Sequence, residues 1–413
     1  MIFAETAAAN GRYPEANQLV VGVVDPARIL VRATFGFSIS ADAGATWSWV
    51  CEQAIGYNGV LDPPVAFLAG DAAIAGLPTG VSFSSDLGCT WGTAAAMLPM
   101  EYVVDVTAER SDPTRALAIT TTNVGNALDS YVARTIDGGA TWQVTGDDLG
   151  SDFRAATIEV APSNPSRLYA SGLLEPSYEP ALAVSDDGGQ TWTRYVGLGL
   201  PGPPFVSAID PTDPNRVYAR VPGDDVDGVY LSTDGGQSFQ EVVQRPGRIL
   251  GFALSPDGTR LAIGGPGFGI ESADAFALEF ASRSTYTARC LTWAATGLYV
   301  CGDEAIDGFT VGLSTDEGAT IAPLLNLAEL SPIKCGTAVA TCEAYWPGIA
   351  EQLGIVLPPP SAASSGSTGG DGATGDEGDG CGCHLPPRDP AAWPLVAAWV
   401  LWLARRARRR ARV

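Results

Sequence analysis

Short apolar runs, each ended by a turn, repeat along most of the chain. Near its start, residues 18–24 form an apolar run that suits a buried inner strand, and Asp25 and Pro26 turn the chain after it. Residues 29–34, 36–40 and 47–51 predict three further strands of the same unit. Later segments repeat this order of apolar strand, proline turn and second strand. The pattern predicts an all-β protein made of similar four-stranded units.

An eight-residue motif separates the predicted third and fourth strands of these units. It reads Ser/Thr-x-Asp-x-Gly-x-Thr/Ser-aromatic, and its best copy covers residues 185–192. Further copies cover 40–47, 84–91, 135–142 and 232–239; a weaker copy at 314–321 ends in Ile321, and a decayed copy at 272–279 keeps only Ser272 and Asp274. The central aspartates are 40 to 51 residues apart, which is typical of propeller blades. They are Asp42, Asp86, Asp137, Asp187, Asp234, Asp274 and Asp316.

The motif has a physical explanation as a turn. The carboxylate accepts backbone N–H bonds, glycine tolerates positive φ, and the aromatic side chain wedges between neighbouring units. The motif resembles the Asp-box (BNR) repeat of sialidase-like and sortilin-like β-propellers, where it joins the third and fourth strands of a blade at the outer rim. The resemblance implies a single seven-bladed β-propeller over residues 12–345. Because seven equivalent carboxylates cannot share one active site, we expect the box aspartates to be structural.

Composition and charge exclude several classes of function. The formal net charge of −22 repels phosphates, so we expect no nucleic acid partner. The single histidine, His384, lies in the tail, which excludes a Ser-His-Asp triad and a histidine zinc site from the folded part. The acidic run at 224–228 resembles part of a calcium loop but lacks the bidentate Glu that calcium loops require. We therefore expect a solvated acidic loop there, and neither a metal nor a cofactor.

The cysteines predict an oxidising location. Six of the eight cysteines lie in the propeller region, and three local pairs can be drawn among them. The predicted disulfides are Cys51–Cys89, Cys290–Cys301 and Cys335–Cys342. Disulfides are typical of exported proteins. Six free, buried thiols are the alternative.

The order of segments predicts four parts. Residues 1–11 are the remnant of an export signal or a disordered start, and residues 12–353 form the propeller with a weakly helical cap near its end. Residues 354–380 are a flexible linker, which from residue 358 consists of Pro, Ser, Gly, Thr, Ala and acids. Residues 381–413 are a C-terminal signal.

The C-terminal signal combines a cysteine motif, a short apolar helix and an arginine cluster. Cys381 and Cys383 precede an apolar stretch at 391–404, and six arginines follow between 405 and 412. Fourteen apolar residues fall short of the about 20 that a stable membrane span needs. The order resembles the MYXO-CTERM sorting signal of myxobacterial surface proteins. This resemblance implies a membrane sorting peptidase as partner, cleavage near Cys381 and Cys383, and arginines on the cytoplasmic side. A plain transmembrane tail anchor is the alternative.

Several arginines are candidates for ligand-binding residues. Arg12 and Pro14 match the Arg-x-Pro element of sialidases, whose arginine binds a substrate carboxylate. A blade-entry segment with a surface arginine is the alternative for Arg12. Other arginines recur at one blade position, directly after a proline turn, and this repetition predicts structural ion pairs with turn carboxylates. They are Arg115, Arg167, Arg216 and Arg260.

Three functions are compatible with this pattern. The first is an exported, surface-displayed, non-catalytic propeller that binds a glycan, a polymer or a protein. The second is a glycoside hydrolase with paired carboxylates in the central cleft, for which Asp105 and Glu159 lie on predicted inner strands. The third is an assembly or sorting receptor. The first is our prediction, with no catalytic residue assigned.

Overall fold

Each repeated unit folds into a sheet built on four antiparallel strands in sequence order; one unit has a hairpin inserted between its second and third strands, and two units add a short parallel strand at the outer edge. The computed structural model describes residues 12–96, 102–125 and 127–357, and it contains seven such sheets there. The first strand of every sheet contacts the first strands of the two neighbouring sheets, and the seventh contacts the first. The sheets thus close into a ring, which confirms the seven-bladed β-propeller.

The blades follow one another along the chain. Blade 1 contains β1 (Ala16–Val21), β2 (Ile29–Ala33), β3 (Gly36–Ser40) and β4 (Ser48–Val50), and blade 2 contains β5 (Val65–Phe67), β6 (Ala73–Leu77), β7 (Gly80–Ser84) and β8 (Gly92–Thr93). After the short strand β9 (Ala95–Ala96), blade 3 contains β10 (Val103–Ala108) and β11 (Ala116–Thr120), then an inserted hairpin of β12 (Thr122–Val124) and β13 (Ala127–Asp129), then β14 (Val132–Thr135) and β15 (Thr141–Val144). Blade 4 contains β16 (Phe153–Ala161), β17 (Asn164–Leu174), β18 (Glu179–Ser185) and β19 (Thr193–Tyr195).

The remaining blades keep the same order. Blade 5 contains β20 (Phe205–Ile209), β21 (Val217–Val221), β22 (Val226–Ser232) and β23 (Gln240–Pro246), and blade 6 contains β24 (Gly251–Leu254), β25 (Arg260–Gly265), β26 (Gly269–Asp274) and β27 (Ala281–Ser284). Blade 7 contains β28 (Cys290–Ala294), β29 (Gly297–Cys301), β30 (Val311–Ser314) and β31 (Ala322–Leu325). Outside the blades lie α1 (Glu52–Ile55), α2 (Glu304–Asp307), a 3-10 turn (Leu327–Glu329), β32 (Ser331–Pro332) and α3 (Ala338–Gln352).

The core lies between the blades, on both surfaces of the second and third strands. Every residue of β6 and β11 is buried, which is expected when neighbouring sheets cover both surfaces of a strand. Aromatic residues of the boxes extend this packing outward. The Trp47 Nε1 of blade 1 donates a hydrogen bond of 2.8 Å to the Leu324 carbonyl oxygen of blade 7. The boxes therefore join neighbouring blades as well as neighbouring strands.

The strand order gives the ring two different faces. Turns between the first and second strands and between the third and fourth strands lie at one end, because those strands leave the sheet in the same direction. We call this end the box face, since it carries the Asp boxes. The opposite end, here called the loop face, carries the connections from second to third strands and from one blade to the next.

The segment after blade 7 crosses to the beginning of the ring. β32 pairs in parallel with β4, the outer strand of blade 1, and α3 follows, with Trp346 packed 5.5 Å from Trp49. The helix that the sequence predicts near the end of the propeller is thus present. No strand is shared between blades 1 and 7 in the described residues, so this crossing segment supplements ordinary blade packing.

Two of the three predicted disulfide pairings are wrong. All six propeller cysteines form disulfides and Cys290–Cys301 is confirmed, but Cys51 bonds Cys342 and Cys89 bonds Cys335. The predicted pairs Cys51–Cys89 and Cys335–Cys342 followed sequence proximity. The crossing segment instead brings Cys335 to the box of blade 2 and Cys342 to the end of blade 1, with Cα–Cα distances of 4.9 and 5.1 Å.

Several predictions fall outside the described residues. These are the export-signal remnant at 1–11, the linker from residue 358 to 380, Cys381 and Cys383, and the apolar stretch and arginine cluster at 391–413. Within the residues that the structure describes, no helix has the length and apolar character needed to cross a membrane.

Candidate functional site

The box aspartates hold turns together. In the box of blade 4, Ser185 Oγ and the backbone N–H of Thr191 donate to Asp187 Oδ1 at 2.8 and 2.9 Å, and Thr191 Oγ1 donates to Oδ2 at 2.7 Å. Bonds from Thr191, first its backbone N–H, lower the pKa of Asp187 to about 2. Asp42, Asp137, Asp234 and Asp316 make the same set of bonds. Both carboxylate oxygens of these boxes are therefore engaged in the turn.

The box glycine is required for two reasons. Gly139 has φ of 97°, a left-handed conformation that glycine adopts without steric cost. A Cβ at this position would lie 2.8 Å from Ile74 Cγ2 of the preceding blade, which is too close for two carbon atoms. The glycine thus permits both the turn and the close approach of two blades.

The decayed box has a different arrangement. Asp274 still accepts from the backbone N–H groups of Phe276 and Ala277, at 2.9 and 3.0 Å. Ser272, however, donates to Glu317 in the box of blade 7, at 2.7 Å, and not to Asp274. The serine that would complete the blade 6 box therefore belongs to a contact between blades 6 and 7.

The repeated arginines pair with turn and box carboxylates, as predicted. Arg167 pairs with Asp186 of its own blade, and Arg115 pairs with Asp112 at 3.0 Å. Arg260 pairs with Glu317 of the next blade. These arginines lie on the box face, where they stabilise turns, and are not available to a ligand.

Arg12 lies in an ion pair near the loop face. Its guanidinium donates to both carboxylate oxygens of Asp62, at 2.9 and 2.8 Å. The Gln352 side chain donates to the Arg12 carbonyl oxygen at 2.6 Å, so the end of α3 also reaches this segment. The Arg12 side chain does not line the axial cavity described next.

A cavity of about 300 Å³ runs along the axis of the ring. First strands of all seven blades line it, mainly with aliphatic side chains and Phe67 and Phe252. Glu159 is the carboxylate among the lining residues, and Arg110 lies at the box-face end. Seven of the lining side chains are polar or charged, so the chemistry of any ligand that the cavity binds depends on those groups.

Asp105 and Glu159 lie beside each other at the junction of blades 3 and 4. Asp105 Oδ1 and Oδ2 accept from the backbone N–H groups of Val106 and Ile158, at 2.9 and 3.0 Å, so the side chain ties the two blades together. A bulge next to Asp105 in β10 turns its side chain toward blade 4. Glu159 Oε2 accepts from Thr107 Oγ1 at 3.1 Å.

Burial changes the protonation of both carboxyl groups. Desolvation, and then the charge of Asp105, raises the pKa of Glu159 to about 8. Desolvation raises the pKa of Asp105 to about 7, although its two backbone hydrogen bonds oppose this. At neutral pH, Glu159 is consequently protonated in most molecules, and it can donate a hydrogen bond into the axial cavity.

The acidic loop at 224–228 is used by the protein itself. Asp227 is buried and accepts from the backbone N–H groups of Gly223 and Ile249, at 3.1 and 3.0 Å. Arg248 lies 3.3 Å from the same carboxylate. In the part of the chain that the structure describes, no group of three His, Cys, Asp or Glu side chains is placed to hold a metal ion.

Most of the inserted or extended elements of the fold lie at the loop face. The inserted hairpin β12–β13, the long hairpin β17–β18 and helix α2 all project there, because each lies between a second and a third strand. The three exposed tyrosines of the described residues, Tyr13, Tyr102 and Tyr178, also lie at this face and are 58%, 49% and 60% exposed. Sequence patterns alone did not single them out, because the exposure of a tyrosine depends on the loops around it.

Comparisons with known proteins agree with this architecture. The BNR/Asp-box repeat family matches residues 183–194, which contain the box of blade 4. The chain is a seven-bladed β-propeller with Asp-box repeats. No curated protein matches this propeller by sequence.

Solved structures match this chain at low sequence identity. An ancestral GH74 enzyme is 14% identical with a TM-score of 0.54, and the match covers 76% of the propeller chain but 49% of the enzyme, about half its length. The Cps50 (Swd1) β-propeller domain of Myceliophteria thermophila is 9% identical with a TM-score of 0.48, covering 71% and 94% of the two chains. Kuenenia stuttgartiensis hydrazine synthase is 12% identical with a TM-score of 0.48, covering 76% and 99%. At such identities the likeness shows the fold alone.

Proposed function

We propose that this chain is an exported, surface-displayed β-propeller that binds a glycan, polymer or protein ligand without catalysing a reaction. The observation that supports binding is the contrast between the two faces. The box face is a repeated set of turns whose carboxylates and arginines bond to each other. The loop face carries the inserted elements, the exposed tyrosines and one mouth of the axial cavity. Irregular loops on a rigid scaffold are where binding residues concentrate.

The cysteines and the tail support export. Three disulfides form among the described cysteines, and an oxidising compartment is where such bonds persist. The cysteine motif, apolar stretch and arginine cluster of the tail suit a substrate of a membrane sorting peptidase. Together these features support a location of the propeller outside the cytoplasmic membrane.

A comparison of the two faces tests the binding function. The full-length chain is screened against an array of bacterial and plant glycans and against purified envelope polymers. A variant with Tyr13→Ala, Tyr102→Ala and Tyr178→Ala should lose at least about tenfold in affinity, since exposed tyrosines supply rigid contact area. Its matched control carries Val24→Ala and Ile136→Ala, two exposed positions on the box face, and should bind as the wild type does. Equal binding by the tyrosine variant, or loss in the control alone, contradicts a loop-face site.

A glycoside hydrolase is the second candidate, and one observation favours it. Asp105 and Glu159 are neighbouring carboxyl groups with raised pKa values beside the axial cavity, and a protonated carboxyl group is what a general acid requires. Against this role, both oxygens of Asp105 accept backbone hydrogen bonds between blades. Release of reducing sugar from a polysaccharide, abolished by Glu159→Gln, would establish the hydrolase instead of the binding protein.

A further inference from the structure

Arg220 differs from most arginines of the propeller because it has no carboxylate partner. Arginines on both faces, such as Arg12, Arg154 and Arg260, form ion pairs. Arg220 lies on β21 between blades 5 and 6, near the loop face, and makes no ion pair within the described residues. Arg32 and Arg134 are also half-buried without a carboxylate partner among the described residues, but they do not line the cavity described below.

The surroundings of Arg220 fix one edge of its guanidinium and leave the other edge open. Nη1 donates to the carbonyl oxygens of Ile249 and Leu250, at 2.6 and 3.0 Å. The Phe205 ring lies against the group, 6.0 Å from the guanidinium carbon. Nε and Nη2 make no hydrogen bond to any described residue. These two nitrogens form the edge that binds carboxylate, sulfate or phosphate oxygens in pairs.

Arg220 lines a cavity of about 250 Å³ at the loop-face end of the axis. Gln18, Ser207 and Thr292 line the same cavity. The hydroxyl groups of Ser207 and Thr292 donate to the carbonyl oxygens of Phe205 and Leu19, at 3.0 and 2.6 Å, which leaves their oxygens as acceptors. Gln18 Oε1 is buried and has no donor, although Gln18 Nε2 bonds the Val65 carbonyl oxygen. The cavity thus offers one cationic fork and several acceptors for hydroxyl groups.

The other charged groups near Arg220 do not neutralise it. The nearest acidic influence is Asp227, whose carboxylate is already bonded to the backbone N–H groups of Gly223 and Ile249 and paired with Arg248. Burial lowers the pKa of Arg220, because desolvation disfavours the charged guanidinium. An anion that reached the open edge would stabilise the charged form.

We propose that the axial cavity at the loop face binds an acidic saccharide, with its anionic group on Nε and Nη2 of Arg220. The hydroxyl groups of the sugar donate to the oxygens of Ser207 and Thr292. This inference rests on the proposed binding function and adds the class of ligand. It requires an anionic group and free hydroxyl groups on one sugar unit, and it involves neither Arg12 nor the boxes.

Titration of the full-length protein with glucuronate tests the site, with glucose and inorganic sulfate as comparison ligands. Binding is measured by calorimetry or by ligand-observed NMR. Glucuronate should bind at least about tenfold more tightly than glucose, because a charged hydrogen-bonded pair is lost with the neutral sugar. Arg220→Met should lose this binding. Arg220→Lys, which keeps the charge but not the fork, should weaken it at least about tenfold. The control Arg194→Met removes an exposed arginine paired with Asp152 on the rim and should bind as the wild type does.

Thermal unfolding of each variant separates loss of binding from loss of folding. Arg220→Lys keeps a donor for the two carbonyl oxygens, so it should remain folded if Arg220→Met does not. Equal affinity for glucose and glucuronate, or wild-type affinity in a folded Arg220→Lys variant, overturns the inference. If the protein binds sulfate but not glucuronate, the site binds an anion, and the inference that its ligand is a saccharide is wrong. Suppose that the wild type binds another ligand but not glucuronate, and that the tyrosine variant loses the binding of that other ligand. In that case only this inference fails, and the proposed binding function stands.

Discussion

The same type of side chain has opposite properties in two parts of the propeller. The carboxylate of Asp187 is exposed and accepts several hydrogen bonds, which lower its pKa to about 2. Glu159 is half-buried at the axis, where desolvation, followed by the charge of Asp105, raises its pKa to about 8. Environment therefore decides the charge of each acid, and net charge alone does not describe the electrostatics of this acidic chain.

The raised pKa of Glu159 predicts that the free energy of unfolding decreases as pH increases. The folded state holds the proton of Glu159 more tightly than the unfolded state does, so stability is lost between the ordinary pKa of 4.5 and about 8. Glu159→Gln removes this titration and keeps an oxygen for the Thr107 hydroxyl. At pH 8.5 we expect the variant to be more stable than the wild type by on the order of 2 kcal/mol, and at pH 4.5 we expect equal stability.

Chemical denaturation at both pH values measures this difference. Box aspartates such as Asp316 have lowered pKa values. Their contribution to the free energy of unfolding is therefore lost in acid, as pH falls from 3.8 toward about 2. They do not titrate in the range where Glu159 does. A variant that gains nothing at pH 8.5 would show that the pKa of Glu159 is not raised in the folded state.

At the scale of elements, the segment from β32 to α3 acts as a covalent clasp. It adds a parallel strand to blade 1, bonds Cys335 to Cys89 in blade 2 and bonds Cys342 to Cys51 in blade 1. Backbone bonds accompany the disulfides, since the N–H of Ala338 donates to the Cys89 carbonyl oxygen at 3.0 Å. The first two blades are thus fastened to the segment that leaves the last blade.

Removing the Cys51–Cys342 disulfide should cost more stability than removing the hairpin disulfide Cys290–Cys301. With Cys89–Cys335 still formed, Cys51–Cys342 closes a loop made of residues 51–89 and 335–342, which is longer than the separation of 11 residues at Cys290–Cys301. A longer closed loop restricts the unfolded chain more, so Cys51→Ser with Cys342→Ser should cost about 2–5 kcal/mol and exceed the loss from Cys290→Ser with Cys301→Ser. Calorimetric unfolding of both double variants decides the order. A larger loss in the hairpin variant would mean that the clasp does not hold the ring.

At the scale of the whole molecule, the two faces of the ring differ in structure. Box turns repeat nearly unchanged around one end of the ring, and their bonds are internal. Inserted elements and exposed tyrosines occupy the other end, together with the cavity beside Arg220. A ring of rigid blades can vary its loops at one face without loss of stability, because the core lies between the sheets.

The tail predicts how the propeller is displayed. Six arginines between residues 405 and 412 oppose translocation, so the C-terminus should remain inside while Cys381 and Cys383 lie near the outer face of the membrane. We expect cleavage close to these cysteines, since the short apolar stretch is a weak anchor. Intact-mass measurement on protein from the native cell envelope checks this. Mature protein that still contains residues 405–413 would identify a permanent tail anchor.

The sequence by itself determined the fold, because the box encodes its own turn. Serine, aspartate, glycine and threonine of a box bond to one another within eight residues, so the periodicity of the motif gave the blade count and the structural role of the aspartates. Local contacts also fixed the one disulfide that was predicted correctly. Cys290 and Cys301 face each other across a single hairpin, where sequence proximity and spatial proximity coincide.

Only the tertiary structure decided the remaining disulfides and the candidate sites. The partners of Cys51 and Cys89 are 291 and 246 residues away, and closure of the ring brings them together. The same holds for Asp105 with Glu159, which come from different blades, and for Arg220 with Gln18, which meet at the axis. Sequence separation carries no information about such contacts, because a ring places its first strands side by side whatever the length of chain between them.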